Sequence, residues 1–290
     1  MDTQELLRRV RRIEIKTRAL TNDIFAGEYH SAFKGHGMSF AEVREYQPGD
    51  DVRDIDWNVT ARTARPHVKV YEEERELTVV LLVDVSRSLV FGTQQRTLRE
   101  LVAELAATIA FSAIQNNDKI GVIFFSDRIE KFIPPKKGRR HILYIIRELL
   151  EFRPESERTD IRVGVEYLVR ALRKRCISFL VSDFVDKGDF SHELNIAARK
   201  HDVVALRLYD RRMAVLPDVG LMKITDAETG HEQYVDTSSK RVREAHRAWW
   251  LRESARLREV FSRSGVDAAD IATDGDYVTA LRRLFAERSH

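Results

Sequence analysis

The stretch LTVVLLVDVSRS, from Leu77 to Ser88, constrains the fold more than any other part of the chain. It begins with consecutive Val and Leu residues, which is typical of a strand buried on both faces in a parallel sheet covered by helices. The run then changes abruptly to the polar residues Asp84, Ser86 and Ser88. Because open α/β sheets bind ligands beyond the carboxyl ends of their strands, this position favours a binding site.

The carboxylate and the two hydroxyls at these alternating positions can point towards one place just past the end of the strand. They are hard oxygen ligands of the kind that Mg²⁺ accepts. The same residues are also common in a loop that caps a helix, so by themselves they leave both interpretations open. Two later stretches favour the metal: Thr159 and Asp160 begin a predicted amphipathic helix, and Asp183 follows a second buried strand, CISFLVS.

The five positions Asp84, Ser86, Ser88, Thr159 and Asp183 resemble the metal-ion-dependent adhesion site of von Willebrand factor type A domains. The resemblance implies that the serines and the threonine reach a cation directly or through water. It also implies that the two aspartates hold the waters of the cation and supply negative charge. Mg²⁺ is the expected cation, with Mn²⁺ or Ca²⁺ as alternatives.

A second resemblance lies between about Gly27 and Gly92. The residues that carry it are Ser31, Gly35, Gly37, Phe40, Arg44, Tyr46, Pro48, Gly49, Asp50, Asp51, Arg53, Ile55, Asp56, Trp57, Ala61 and Arg62. This series is similar to domain-of-unknown-function family 58, in which such a segment directly precedes a von Willebrand A-like domain. Leu89 departs from the family, which often has Met at this position, but both side chains are apolar.

Strands that alternate with helices after Leu77 predict an α/β fold of three layers, a mostly parallel, Rossmann-type sheet with helices on both faces. We expect an N-terminal helix, basic and amphipathic, within residues 1–26 and a family-specific β-rich or irregular segment at 27–76. The von Willebrand A-like domain is expected at 77–290, with a hairpin insertion near 216–237.

Three local patterns carry expectations of their own. The alternating strand HVKVYEEE is expected to lead into the sheet, and Pro134 and Pro135 are expected to break the chain after a strand pair. The four aspartates between Asp50 and Asp56 could form a second metal site. Ion pairs with neighbouring arginines and helix caps are the favoured interpretation.

The composition excludes several classes of protein. A single cysteine, Cys176, excludes internal disulfides and Cys-rich zinc sites and is expected to be buried. No apolar run approaches the roughly 20 residues that span a membrane, and the charged N-terminus lacks a signal-peptide core. We therefore expect a cytoplasmic location. The net charge of +3 is too small to argue for a nucleic-acid partner, and we expect none.

Two functions from different classes fit these residues. The first is a non-enzymatic, metal-dependent protein-binding adaptor, in which an Asp or Glu carboxylate of the partner completes the coordination of the cation. The family resemblance adds the expectation of a MoxR-type AAA+ ATPase as partner, in the assembly or activation of client proteins.

The alternative is a metal-dependent phosphohydrolase, in which Mg²⁺ near Asp84 polarises a phosphate. His30, His36 and His67 all precede the metal loop, so the sequence offers no convincing nucleophile–base pair. The loop also lacks the second aspartate that aspartyl-phosphate enzymes place two residues after the first. We therefore expect no catalytic residue and no cofactor other than the cation.

Overall fold

The computed structural model describes residues 3–20, 29, 32–33, 38–73, 76–87, 97–156, 158–186, 188–225 and 231–288. Ser88, one of the five predicted cation ligands, lies outside these residues. So do His30, His36 and the glycines at the start of the family-like segment. None of the described helices has both the length and the apolar character needed to cross a membrane.

The N-terminal part begins with α1 (Thr3–Leu20). After it, β1 (Met38–Glu45), a short 3-10 turn, α2 (Trp57–Thr63) and β2 (His67–Glu73) follow. β1 and β2 pair antiparallel in a two-stranded sheet of their own, and the next element along the chain is the first strand of the central sheet, which begins at Thr78. The polar–apolar alternation of β2 agrees with this arrangement, because a strand that carries Lys and Glu on one face fits a ribbon outside the central sheet better than a strand buried on both faces.

The aspartates of this segment make ion pairs and caps, the favoured interpretation. Asp50 receives two hydrogen bonds from the guanidinium of Arg44, at 2.7 and 2.8 Å. Asp51 caps the 3-10 turn and pairs with Arg53. Asp56 caps α2 by accepting from two backbone N–H groups. These carboxylates are therefore occupied by local contacts.

The rest of the chain builds the larger unit. Its elements are β3 (Thr78–Asp84), α3 (Leu98–Gln115), β4 (Lys119–Phe125), β5 (Ile129–Lys136), α4 (Arg139–Glu151), α5 (Ile161–Ala171), β6 (Ile177–Ser182), α6 (Ser191–Lys200), β7 (Asp202–Tyr209), α7 (Arg211–Ala214), β8 (Leu221–Thr225), β9 (Glu232–Asp236), α8 (Lys240–Arg263), β10 (Asp267–Ala272) and α9 (Tyr277–Arg288).

The central sheet has six strands in the spatial order β10-β7-β6-β3-β4-β5. All neighbours are parallel except β5, which runs antiparallel to β4. This is the order 3-2-1-4-5-6 of doubly wound folds, and it reverses between β3 and β6. The predicted fold class, a mostly parallel sheet between helices, is confirmed.

The apolar run of β3 is continuous because both faces of the sheet are buried. Val79, Leu81 and Val83 pack into a cluster that includes α1, α3, α4 and α9. Val80 and Leu82 pack on the other side, with α5, α6 and α8. The two layers of helices therefore leave only the strand ends accessible, which positions a site there.

Pro134 and Pro135 do not break the chain: β5 continues through both of them to Lys136. β5 lies at the edge of the sheet, where a residue without an N–H group loses no hydrogen bond on its outer side. The strand register shifts opposite Gly121, whose missing side chain leaves room for Pro135. The expected break at the prolines is therefore wrong.

Candidate metal centre

Asp84, the last residue of β3, is completely buried. Its Oδ1 atom accepts the backbone N–H of Ser86 at 2.9 Å, and its Oδ2 atom accepts the hydroxyl of Ser182 at 2.7 Å. The Ser182 hydroxyl also accepts the N–H of Phe184 at 2.9 Å. The carboxylate is thus held by both strands that flank the reversal of strand order.

Asp183 directly follows β6 and is 1% exposed. Its Oδ1 atom accepts the N–H of Val185 at 3.1 Å. Burial, and secondly the charge of Asp183, raise the pKa of Asp84 to about 7, although hydrogen bonds from Ser182 and Ser86 oppose this. Two buried carboxylates that repel each other would both be stabilised in their ionised forms by a cation.

A buried arginine on β7 balances part of this negative charge. Burial lowers the pKa of Arg207, while the charges of Asp270 and Asp183 act in the opposite direction. The guanidinium donates to the hydroxyl of Ser254 at 2.8 Å and lies 4.3 Å from the ring centre of Trp250. Arg207 is therefore fixed to α8, and its charge acts on the site through space.

Thr159 lies in the loop before α5, next to the N-cap residue Asp160. The N–H of Asp160 donates to the carbonyl of Ser126, which follows β4, at 3.2 Å. The N–H of Ile161 donates to a carboxylate oxygen of Asp186 at 2.9 Å. These two bonds fix the Thr159 loop against the loops that follow β4 and β6.

Further hydrogen bonds connect the remaining loops. The N–H of Val85 donates to the carbonyl of Phe125 at 2.8 Å, so the ends of β3 and β4 stay together. Glu130 on β5 accepts the Ser126 hydroxyl at 2.7 Å and the N–H of Ser156 at 3.1 Å. The loops after β3, β4, α4 and β6 thereby form one hydrogen-bonded layer at the carboxyl edge of the sheet.

The predicted site residues divide into three groups. Asp84, Ser86 and Asp183 lie at adjacent strand ends, Thr159 lies in a loop bonded to the one that follows Asp183, and Ser88 is outside the described residues. Sequence reasoning missed the supporting residues Ser182 and Asp186. The only signal for Ser182 was its position, next to an aspartate at the end of a buried strand.

The donor set restricts the metals that could bind. Within the described ranges, no group of three or more His, Cys, Asp or Glu side chains could hold a metal. A site for a transition metal with nitrogen and sulfur ligands is therefore not formed there. Two carboxylates with hydroxyl oxygens nearby fit a hard cation such as Mg²⁺, which keeps several of its waters.

Comparisons with known proteins agree with this architecture. The family described as "Protein of unknown function DUF58" matches residues 42–256. The "Uncharacterized protein Rv1480" of Mycobacterium tuberculosis is 32% identical over 296 residues, which cover 99% of this chain and 91% of that protein.

One solved structure supports the similarity in fold, and a second aligns less closely. An aerotolerance-related membrane protein from Bacteroides fragilis aligns with a TM-score of 0.51 and 14% identity, over 73% of this chain and 98% of its own. The SpRpn10 VWA domain aligns with a TM-score of 0.39 and 10% identity, over 73% of this chain and 94% of its own.

Proposed function

The chain belongs to the DUF58 family, whose function is unknown, and from this premise we propose that it is a non-enzymatic adaptor that binds a protein partner through a divalent cation. One observation carries the proposal: Asp84 and Asp183 are both buried where the strand order reverses. Burying two repelling carboxylates is costly for the fold alone. A bound cation would offset this cost, because it attracts both carboxylates.

The proposed cation is Mg²⁺, with Mn²⁺ or Ca²⁺ as alternatives. Ser86, Ser88 and Thr159 would offer hydroxyl oxygens, while the two aspartates would hold waters of the cation and balance its charge. The hydroxyl of Ser182 keeps Asp84 in place, at 2.7 Å. When bound, the cation would supply a positive charge for an Asp or Glu carboxylate of the partner protein.

The proposed partner is a MoxR-type AAA+ ATPase, and the proposed task is the assembly or activation of client proteins in the cytoplasm. This part of the proposal follows from the resemblance stated for the family, whose own function is unknown. The layered hydrogen bonds at the carboxyl edge of the sheet support a preformed binding surface, since a rigid surface loses little entropy on binding.

The phosphohydrolase alternative has less support. It requires a base or nucleophile beside the cation. Asp84 receives its hydrogen bonds from the backbone of Ser86 and the hydroxyl of Ser182. His67 instead bonds to Thr63 and to a backbone carbonyl between α2 and β2, so its ring is engaged elsewhere.

Metal binding and partner capture test the proposal together. Calorimetric titration of the metal-free protein with Mg²⁺ and Mn²⁺ should show one site, which Asp84→Asn removes. Tagged wild-type protein should capture the AAA+ ATPase from its native cells in Mg²⁺ but not in a chelator, and Asp84→Asn should capture little in either. Undiminished capture of the ATPase in the chelator and by the variant would refute the proposal.

Asp210→Asn provides a matched control. Asp210 is also a buried aspartate just past a strand of the same sheet, 2% exposed. Its carboxylate accepts the N–H of Arg212 at 2.9 Å and the hydroxyl of Thr273 at 2.8 Å, so it serves the fold. This variant should bind Mg²⁺ and capture the ATPase like the wild type.

A further inference from the structure

The outward-facing side of α1 is strongly basic. Arg8, Arg11, Arg12 and Ile15 are exposed there, at the spacing i, i+3, i+4 and i+7 that places side chains on one side of a helix. We call these four residues the outer face of α1. The opposite side of the helix is buried in the core cluster that contains α3 and α4. The helix is therefore held on the body while its outer face meets solvent.

The three arginines of the outer face make no hydrogen bond or ion pair with the described residues. Their neighbours Arg9 and Lys16 differ, because each pairs with a glutamate of α3. Between residues 8 and 16 the only acidic residue is Glu14, and its carboxylate accepts the guanidinium of Arg139 at 2.6 Å. Among the described side chains, none therefore supplies a counter-charge to the three arginines of the outer face.

The outer face also has an apolar component. Ile15 is 63% exposed, and a shallow open recess of about 400 Å³ lies between Ile15, Lys16 and the stems of the three arginines. A guanidinium group can donate two parallel hydrogen bonds to the oxygens of one phosphate. An apolar side chain among them can enter the boundary between lipid head groups and acyl chains.

A lipid surface fits this face better than a protein does. Protein interfaces derive most of their binding energy from a central cluster of buried aromatic and aliphatic anchors. The outer face of α1 offers one exposed large apolar residue, Ile15, within a field of cations. Clusters of Lys and Arg on an amphipathic helix are typical of binding to anionic lipids, which needs no matching shape.

We propose that the outer face of α1 docks this protein on anionic membrane surfaces. Because α1 remains packed on the core, the binding is peripheral, reversible and mainly electrostatic. Each basic residue near an anionic surface increases partitioning about five-fold, so the three arginines together contribute roughly 100-fold. The cation site has no part in this contact, and added salt should weaken the binding because it screens the charges.

Co-sedimentation with vesicles tests this. The full chain should bind vesicles that contain phosphatidylglycerol and should not bind vesicles of pure phosphatidylcholine. The triple variant Arg8→Gln, Arg11→Gln, Arg12→Gln should partition roughly 100-fold more weakly. Ile15→Ser alone should lose less than the triple variant. Far-UV circular dichroism should be unchanged in both, because all four side chains are exposed.

A second triple variant separates this face from general positive charge. Arg241, Arg247 and Arg252 are exposed on α8 and also lack hydrogen bonds and ion pairs with the described residues. Replacing these three by Gln changes the net charge by the same amount. That variant should bind phosphatidylglycerol vesicles within a few-fold of the wild type.

Three results would overturn the proposal. The first is no binding to phosphatidylglycerol vesicles near physiological ionic strength. The second is an equal loss of binding in the two triple variants, which would show unspecific adsorption of a basic protein. The third is retention of the α1 triple variant at wild-type level. Calorimetric Mg²⁺ binding, measured on the same samples, keeps the outcome separate from that of the adaptor proposal.

Discussion

Replacing Asp84 by Asn is expected to stabilise the metal-free protein at alkaline pH. The carboxyl of Asp84 has a pKa of about 7, chiefly because it is buried, whereas an aspartate in an unfolded chain has a pKa of about 3.9. The pKa values in the native and unfolded states therefore differ by about 3, and each pKa unit corresponds to about 1.4 kcal/mol of free energy. The ionised carboxyl thus destabilises the native state by roughly 4 kcal/mol. The native protein carries this cost wherever the carboxyl is ionised.

The sign follows from proton binding. Between about pH 4 and pH 7 the native state retains a proton that the unfolded state has released, so the free energy of unfolding falls as the pH rises through this window and levels off above it. Asn keeps the shape of the side chain: its oxygen can accept the N–H of Ser86, and its amide can donate to the hydroxyl of Ser182. The exchanged hydrogen bond costs about 1 kcal/mol. A net gain of about 2 to 3 kcal/mol should remain at pH 8.

Urea unfolding in a chelator at pH 8 and pH 5 measures this difference. The advantage of Asp84→Asn should shrink by about 2 to 3 kcal/mol at pH 5, where the native Asp84 is protonated. With Mg²⁺ at about 100 times its dissociation constant, the wild type should gain about 2.7 kcal/mol and the variant nothing. A variant less stable than the wild type at pH 8, or a difference equal at both pH values, would refute this reasoning.

Three further predictions concern the fold. Gly164→Ala should lower the free energy of unfolding by about 1 to 3 kcal/mol, measured in urea, because the new Cβ atom would lie 2.8 Å from a phenylalanine ring of β4; unchanged stability would contradict this. Burial raises the pKa of the Cys176 thiol to about 12, so iodoacetamide should label it at pH 8 only after unfolding, and rapid labelling of the native protein would contradict this. Arg288→Met should cost about 3 kcal/mol, because it leaves the carboxylate of Asp202, whose side chain is only 10% exposed, without the guanidinium that binds it at 2.6 and 2.7 Å. The exposed ion pair of Arg283 serves as control, and Arg283→Met should change the stability by less than about 0.5 kcal/mol.

Much of the fold follows from local sequence. The run from Val79 to Val83 is apolar at every position because its residues pack alternately into the two core clusters, and such a run predicts a buried parallel strand without further information. The ends of β3 and β6, and with them Asp84 and Asp183, then have to lie at one edge.

The supporting contacts could not be predicted in the same way. Ser182 bonds to Asp84 across 98 residues, and Asp186 bonds to Ile161 across 25. Contacts between residues so far apart in the sequence depend on the conformations of loops, which no local residue pattern predicts. At Pro134 a local rule predicts a break that does not occur. Whether proline interrupts a strand depends on which side of the strand has a neighbour, and the sequence around the proline does not show this.

β5, the strand at one edge of the central sheet, limits how other molecules can associate with the protein. Pro134 and Pro135 both lack a backbone N–H group, and because successive residues of a strand direct these groups to opposite sides, one of the two positions leaves the outer border of β5 without a donor. A foreign peptide that tried to add itself as a seventh strand on this side would find an interrupted ladder. The flank next to β5 is thus unfavourable both for amyloid-like stacking and for recognition by strand addition.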